Sequence, residues 1–163
     1  MKIMIASDIH GSAFYCEKLL EAYKREGAER LLILGDILYH GPRNDLPKEY
    51  NPKAVITMLN SMKEDLLCVR GNCDMYTSLP TIDIRTVCDK KIMATHGYEQ
   101  NVKFGLYDLQ LDAVSNKCDI VLFGHTHTPL SLYKDGIYYF NPGSVYDGCY
   151  AEKAQNQVQI QAV

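Results

Sequence analysis

Short apolar runs alternate with amphipathic stretches along the first half of the chain. Mostly apolar runs predict buried strands at residues 3–6, 30–34 and 66–69. Between them, apolar residues recur every three or four positions, which predicts two helices. Ser12 can cap the first helix and Gly27 can end it. The second helix is predicted from apolar residues on one side: Ala54, Val55, Met58, Leu59 and Met62. Apolar strands joined by helical crossovers are typical of a parallel sheet covered on both faces.

The second half of the chain is richer in predicted strands. Strand patterns cover residues 81–87, 90–94, 119–123, 130–133 and 137–140. The last two flank an Asp135-Gly136 pair, which predicts a hairpin turn. One helical pattern covers residues 103–116, and the tail after Tyr146 is predicted to form a last pair of strands. Because no repeat or linker interrupts these elements, residues 1–163 predict a single α/β domain.

Composition narrows the class of protein and its partners. The chain is 47% hydrophobic and 23% charged, which excludes a disordered or fibrous protein. Its net charge of −3 argues against a nucleic-acid polymer as partner, since such binding needs a basic face. No apolar run approaches the roughly 18–20 residues that span a bilayer, and the N-terminus does not resemble a signal peptide. We therefore expect a cytoplasmic protein that does not bind a membrane.

The six cysteines are expected to be free thiols. They form no Cys-x-x-Cys pair, so the sequence gives no support to a thiolate zinc site or a redox motif. Cys16, Cys68 and Cys88 lie within apolar patterns, and we expect them in the core.

Ligand-type side chains follow the predicted strands. They are Asp8, His10, Asp36, Asn72, His96, His125 and His127. Because ligands bind outside the carboxyl ends of the strands in open α/β sheets, we expect these residues to converge on one cleft. Each short pattern alone is common in ordinary turns, and the pair of imidazoles at His125 and His127 is the strongest single indication. Seven such side chains are too many for one metal ion and suit two.

The types of donor atom limit which metal ions can bind at this site. Carboxylate, amide and imidazole donors without an obligatory thiolate suit Mn²⁺, Fe²⁺, Co²⁺, Ni²⁺ or Zn²⁺. Two such ions that share a carboxylate can hold a bridging water as hydroxide at neutral pH. Two divalent ions also outweigh the charges of Asp8 and Asp36, which explains how an acidic protein could attract a phosphate.

Taken together, these residues resemble the calcineurin-like binuclear metallophosphoesterases. The resemblance rests on Asp8-x-His10, Gly35-Asp36, Gly71-Asn72, His96 and Gly124-His125-Thr126-His127. Residues 35–44, 70–74 and 141–144 are more narrowly similar to the small bacterial YfcE-type phosphodiesterases. The resemblance implies an α/β fold, a four-layer αββα sandwich of two packed mixed sheets flanked by helices, with the metal centre at the strand ends.

The resemblance also implies an activity and its ligands. One ion would be held by Asp8, His10, Asp36 and His127, and the other by Asp36, Asn72, His96 and His125. Asp36 would bridge two ions, of which Mn²⁺ is the expected metal, and a bridging hydroxide would attack a small phosphodiester in line with its leaving group. The implied catalytic residues are Asp36, Asn72 and His125.

Substrate contacts are expected from two further segments. Arg43 and Asn44 follow the bridging Asp36 and are candidates for contacts with a phosphate or nucleotide, or else ordinary loop residues. Cys73 stands where many relatives have histidine. A thiol is a poorer proton donor than an imidazolium, so we expect slow turnover of esters with poor leaving groups. Alternatively, Cys73 only fills space. Tyr98 replaces a histidine that the narrower group often carries.

Three other functions stay open at this point. They are a phosphomonoesterase or nucleotidase acting on a small metabolite, a nuclease, and a non-enzymatic scaffold such as the retromer subunit that shares this fold. The ligand set of that subunit is degraded, whereas all seven positions here carry competent side chains. An uncovered sheet edge or the tyrosine-rich rim could also pair two subunits, so a homo-oligomer is a further expectation.

Overall fold

The computed structural model describes residues 1–147, which contain two β-sheets. The first sheet has three strands in the order β1-β2-β3, and both of its strand pairs are parallel. They are β1 (Ile3–Ala6), β2 (Arg30–Ile33) and β3 (Leu66–Cys68). Its register pairs Ala6 with Ile33, and Ile33 with Cys68, so the three strands end at one edge.

The second sheet has five strands in the order β4-β5-β6-β8-β7. They are β4 (Ile82–Val87), β5 (Lys90–Thr95), β6 (Ile120–Leu122), β7 (Leu130–Lys134) and β8 (Ile137–Asn141). The three central strands run parallel to one another, and each outer strand pairs antiparallel with its neighbour. The predicted hairpin between β7 and β8 is confirmed, and its two turn residues, Asp135 and Gly136, both have positive φ.

Local sequence signals set the ends of the first two helices. Helix α1 (Ala13–Glu26) begins after Ser12, whose hydroxyl accepts a hydrogen bond from Tyr15 N at 3.2 Å. It ends at Gly27, which has φ 60 in the left-handed region. Both predicted ends are confirmed. Helix α2 (Pro52–Asn60) is capped by the Asn51 side chain, which accepts from Ala54 N.

Apolar residues separate the sheets and helices into four layers. Helices α1 and α2 pack on one face of the first sheet through Leu31 and Ile33, while the alternate residues Leu32 and Leu34 face the second sheet. Helix α3 (Tyr107–Ser115) covers the outer face of the second sheet. Because β2 is covered on both faces, its buried residues are all apolar, and the predicted αββα sandwich is confirmed. The prediction that both sheets are mixed is wrong for the first sheet, whose strand pairs within residues 1–147 are all parallel because helical crossovers join its strands.

The structure differs from two sequence-based expectations, and a third concerns residues mostly outside the described range. The helix predicted over residues 103–116 is divided into a 3-10 turn (Val102–Phe104) and α3, because Gly105 has φ 136, which a continuous helix does not allow. Cys88 is exposed rather than buried, since it forms the two-residue turn between β4 and β5. The predicted pair of strands after Tyr146 lies mostly outside residues 1–147.

The remaining expectations on thiols and membranes are partly tested. Within residues 1–147, the five cysteines are free thiols. In the same range, no helix is long and apolar enough to cross a membrane.

Candidate metal centre

The seven predicted ligand residues all lie where the parallel strands end. The ladder between β1 and β2 continues past the strands, since Asp8 N donates to Gly35 O at 3.0 Å and His10 N donates to Asp36 O at 2.9 Å. In the second sheet, Gly124 N donates to His96 O at 3.1 Å. These backbone hydrogen bonds hold the ligand-bearing loops at fixed separations, and the structure brings all seven side chains to one place.

Asp8, His10 and His127 form the first group of donors. Asp8 Oδ1 lies 3.6 Å from His10 Nε2 and 3.3 Å from His127 Nε2. The two imidazole Nε2 atoms lie 3.2 Å apart. Three ligand atoms therefore surround one small space, which suits a cation.

Asp36, His96 and His125 form the second group, to which Asn72 is adjacent. His96 Nε2 lies 3.4 Å from Asp36 Oδ2, 3.2 Å from His125 Nδ1 and 3.1 Å from Asn72 Oδ1. Asp36 Oδ2 also lies 3.8 Å from His10 Nε2 in the first group. Asp36 thus stands between the two groups, at the position expected of a shared carboxylate.

Three of the imidazoles are oriented by acceptors behind them. A carbonyl or carboxylate oxygen can only accept, so the Nδ1 atom facing it carries a proton and Nε2 faces the centre, where it can bind a metal ion once it is deprotonated. The pairs are His10 Nδ1 with Tyr39 O at 2.9 Å, His96 Nδ1 with Leu34 O at 2.6 Å, and His127 Nδ1 with Asp147 Oδ2 at 2.8 Å.

A buried carboxylate oxygen shows that these residues fit metal ions. Asp8 is fully buried, and its Oδ2 accepts from Ser7 Oγ at 2.6 Å and from His125 N at 3.2 Å. Its Oδ1 has no hydrogen-bond partner within the described part of the chain. A buried, unpaired oxygen of this kind is costly unless a cation compensates it. Together with oxygen and imidazole donors, it matches the preferences of first-row divalent metals.

The metal-free site holds protons where cations would lie. Burial disfavours the imidazolium of His10, but electrostatic attraction to the Asp8 carboxylate outweighs it and raises the pKa to about 10. For His96, burial is likewise outweighed by the hydrogen bond to Asp36, and the pKa rises to about 9. Burial and the neighbouring His96 lower the pKa of His125 to about 4. Burial alone would raise the pKa of Asp8, but electrostatic attraction to the imidazoles of His10 and His127 holds it far below its usual range.

Five of the seven residues adopt positive φ, a feature that sequence analysis did not detect. Such a backbone is uncommon outside glycine and clusters at functional sites. The values are 58° for Asp8, 51° for His10, 52° for Asp36, 66° for His125 and 60° for His127. The ligand loops are therefore held in a conformation that local preference does not favour.

Asp74 clamps two ligand loops together, and sequence analysis missed it. Its carboxylate is buried and accepts from Ile37 N and Gly71 N, each at 2.9 Å. Gly71 allows the loops to approach, because a Cβ on Gly71 would overlap the Asp36 carboxylate. The Asp74 in the pattern Gly71-Asn72-Cys73-Asp74 was the available signal, but its role depends on contacts with a distant loop.

The pattern Asn141-Pro142-Gly143-Ser144 supports the loop that carries His125. Asn141 is fully buried, and its amide donates to Gly124 O at 2.8 Å. Ser144 Oγ donates to Asp8 O at 3.1 Å. Sequence analysis used this stretch only as part of a resemblance, and the structure gives it a positioning role.

Of the three predicted substrate residues, Cys73 lies at the centre, whereas the Asn44 amide donates to His40 O at 2.7 Å within its own loop. Cys73 Sγ groups with His10 and Asp36, and it accepts a hydrogen bond from Asn72 Nδ2 at 3.3 Å. Burial raises the pKa of the Cys73 thiol. A Cβ on Gly41 would lie 3.3 Å from both Cys73 Sγ and Asn44 Nδ2, so the loop containing Asn44 covers Cys73.

Arg43, the third of these residues, is exposed on the same loop. Among residues 1–147 its guanidinium forms no ion pair. His40 on this loop packs edge-on against Tyr39 and Tyr50.

Comparisons with known proteins agree with this arrangement. A profile of the calcineurin-like phosphoesterase superfamily domain matches residues 1–160. The chain is 42% identical over 153 residues to phosphodiesterase YfcE of Escherichia coli K12, across 89% of this chain and 79% of YfcE. It is 29% identical over 148 residues to the probable metallophosphoesterase YsnB of Bacillus subtilis 168, across 89% and 75% of the two chains.

Solved structures give the same likeness. The structure of YfcE, a phosphoesterase from E. coli, matches with a TM-score of 0.73 and 36% identity, across 89% of this chain and 80% of that chain. Vps29 of Chaetomium thermophilum matches with a TM-score of 0.64 and 22% identity, across 87% and 70%, which supports the fold alone.

Proposed function

Because the chain belongs to the calcineurin-like phosphoesterase superfamily, the family expected from its sequence, we propose that it is a metal-dependent phosphodiesterase acting on a small phosphodiester. One observation carries the proposal. Two carboxylates, four imidazoles and an amide converge at one end of the sandwich, around the unpaired buried oxygen of Asp8. The similarity to phosphodiesterase YfcE covers 89% of this chain.

We assign the ligands to two divalent ions. One ion is held by Asp8, His10, Asp36 and His127, and the other by Asp36, Asn72, His96 and His125. The separation of the side chains into two groups with Asp36 between them supports this assignment. Mn²⁺ is the proposed metal, since carboxylate, amide and imidazole donors suit it.

Bound metal ions supply Lewis-acid stabilisation of the phosphoryl oxygens and a water-derived nucleophile at neutral pH. The chain's own residues prepare the site for them. Burial would raise the pKa of Asp36, but the hydrogen bond and charge of His96 outweigh it and lower this pKa, so the carboxylate is ionised at neutral pH. His125, with a pKa of about 4, is neutral and offers a lone pair without first losing a proton. We propose that Asp36, Asn72 and His125 are the catalytic residues on these grounds.

Cys73 and Asn44 are proposed to contact the substrate, with Arg43 reaching the phosphate from the exposed part of the loop. The position of Cys73 Sγ beside His10 and Asp36 at the centre supports this placement. A neutral thiol gives little help to an alkoxide leaving group. Cys73→His is therefore expected to raise turnover of alkyl diesters more than that of activated aryl diesters, and equal effects on both would contradict this role.

The proposal is tested by stripping the protein with chelator and following hydrolysis of bis-p-nitrophenyl phosphate with and without Mn²⁺. Activity should return with Mn²⁺ and disappear in Asp36→Asn. Asp89→Asn is the matched control, because Asp89 is an exposed turn residue with φ 60, close to the φ 52 of Asp36.

The outcomes separate the alternatives. Two ions bound per chain without diester hydrolysis would contradict the diesterase and direct attention to phosphomonoesters. Failure to bind any first-row divalent ion would contradict the metal centre and leave a scaffold. A homo-oligomer stays a prediction that a mass measurement in solution can check.

A further inference from the structure

A cleft of about 130 Å³ opens beside the second group of donors. Asn72 and His96 lie on its lining, and so do side chains that the proposed reaction does not use. The latter include Arg70, Met75, Tyr98 and Glu99. Since the same chain segments carry the donors and the cleft walls, a group attached to a phosphate at the centre can enter this cleft directly.

One wall is a turn fixed by its own hydrogen bonds. Gly97 O accepts from Val102 N at 3.2 Å, and Tyr98 O accepts from Asn101 N at 3.2 Å. Buried Gln100 ties the turn to α3 by donating to Asp112 Oδ2 at 2.9 Å. The backbone of Tyr98 is therefore held in place before any ligand arrives.

The opposite wall is equally constrained. Asp74 O accepts from both Thr77 N at 2.9 Å and Thr77 Oγ1 at 2.8 Å, and Asp74 itself is buried. Met75 projects from this turn and is 75% exposed. The cleft thus lies between two turns that do not need to be ordered on binding, which reduces the entropy lost when a ligand binds.

Tyr98 presents an aromatic face at the edge of the metal centre. Its ring packs edge-on against His125, with centroids 5.4 Å apart and an interplanar angle of 79°, yet the residue is 57% exposed. Exposed apolar side chains gathered at one place mark a binding surface. An aromatic ring and a thioether are also groups that favour contact with a planar ring.

We propose that this cleft binds a planar aromatic substituent of the phosphodiester, with Tyr98 as its stacking surface. The inference rests on the proposed function and adds the class of substrate. Arg70 and Glu99 have opposite charges, so the lining favours a neutral ring over a further phosphate. The volume of the cleft is of the same order as that of a cavity of about 150 Å³ that admits benzene.

The test compares two diesters that share one leaving group, phenyl p-nitrophenyl phosphate and methyl p-nitrophenyl phosphate. Tyr98→Ala is expected to lower the ratio of kcat/KM for phenyl over methyl by about three- to tenfold, because the ring contact is lost. The ratio cancels any change in metal occupancy. Tyr98→Phe should keep the wild-type ratio. So should Tyr133→Ala, which removes an aromatic ring that is 71% exposed on β7.

The failures are distinguishable. An unchanged ratio in Tyr98→Ala, with both diesters hydrolysed, overturns the aromatic site and leaves the phosphodiesterase intact. If neither diester is hydrolysed, the phosphodiesterase fails, and calorimetry on the metal-loaded protein judges the cleft separately. A preference for phenylphosphonate over methylphosphonate that disappears in Tyr98→Ala supports the cleft, and equal affinities in the wild type overturn it.

Discussion

When the metal ions are removed, protons occupy the site in their place. The stripped protein is therefore expected to lose stability as the pH rises above neutrality. His10 and His96 lie 3.6 and 3.4 Å from the carboxylates of Asp8 and Asp36. Burial opposes their charged forms, but electrostatic attraction to those carboxylates prevails and raises the pKa values to about 10 and about 9. In the unfolded chain both pKa values return to about 6.5.

The sign and size follow from proton linkage. A raised pKa contributes stability that is complete below about pH 6.5 and is lost as the pH rises through the folded-state value. Between about pH 7 and about pH 8.5, the folded protein keeps two protons that the unfolded chain has released. The free energy of unfolding then falls by about 2.7 kcal/mol per pH unit, or about 4 kcal/mol over this range. The total free energy of unfolding of a small domain is only about 5–15 kcal/mol.

Urea unfolding followed by circular dichroism measures this change. The chelator-treated protein should show the full decrease across the range, whereas the metal-loaded protein should not, because the Nε2 atoms then bind metal instead of protons. His40→Asn, which replaces the histidine outside the two donor groups, should keep the decrease. A free energy of unfolding that stays within about 1 kcal/mol for the metal-free protein would refute the ion-paired histidines.

Two further predictions concern the residues around the ligands. Gly71→Ala should abolish metal binding measured by calorimetry, because the new Cβ would displace the Asp36 carboxylate. The control is Gly27→Ala, since no atom lies within 4 Å of a Cβ at that position. This variant should lose only about 1–2 kcal/mol of stability and should still bind metal. Asp147→Ala should lower metal affinity about 10–100-fold in a chelator competition, because His127 Nδ1 loses its acceptor, and unchanged affinity would contradict that role.

The elements that the sequence predicts well depend on local signals. The cap at Ser12, the stop at Gly27 and the turn at Asp135-Gly136 are each decided by a few neighbouring residues, and all three are confirmed. The prediction of one continuous helix over residues 103–116 is wrong, because it relied on apolar periodicity, which does not report that Gly105 interrupts the backbone. Which strands belong to which sheet depends on pairing at long range; the family resemblance predicted two packed sheets but did not assign the strands to them.

The convergence of the ligand residues was also predictable, since side chains that follow parallel strands share one edge of a sheet. The residues that hold these side chains in position could not be predicted from the sequence. Asp74 acts through Ile37, which is 37 positions away, and Asp147 acts through His127, which is 20 positions away. Contacts of this kind leave no periodic or compositional signal in one sequence. Tyr98 is similar, because its place beside His125 follows from the fold of the second sheet.

The strained backbone of the ligands shows what holds the centre in shape. Each of the five non-glycine ligands with positive φ costs about 1–3 kcal/mol, a sum comparable with the whole stability of a small domain. Two bound ions, each at a hundredfold excess over its Kd, would together return only about 5.4 kcal/mol, which reaches only the lower end of that sum. Metal binding alone therefore does not impose this conformation. The hydrogen bonds between the loops at Asp8, Gly35 and Asp74, anchored on the apolar layers, must maintain it, so the centre is organised before the ions arrive.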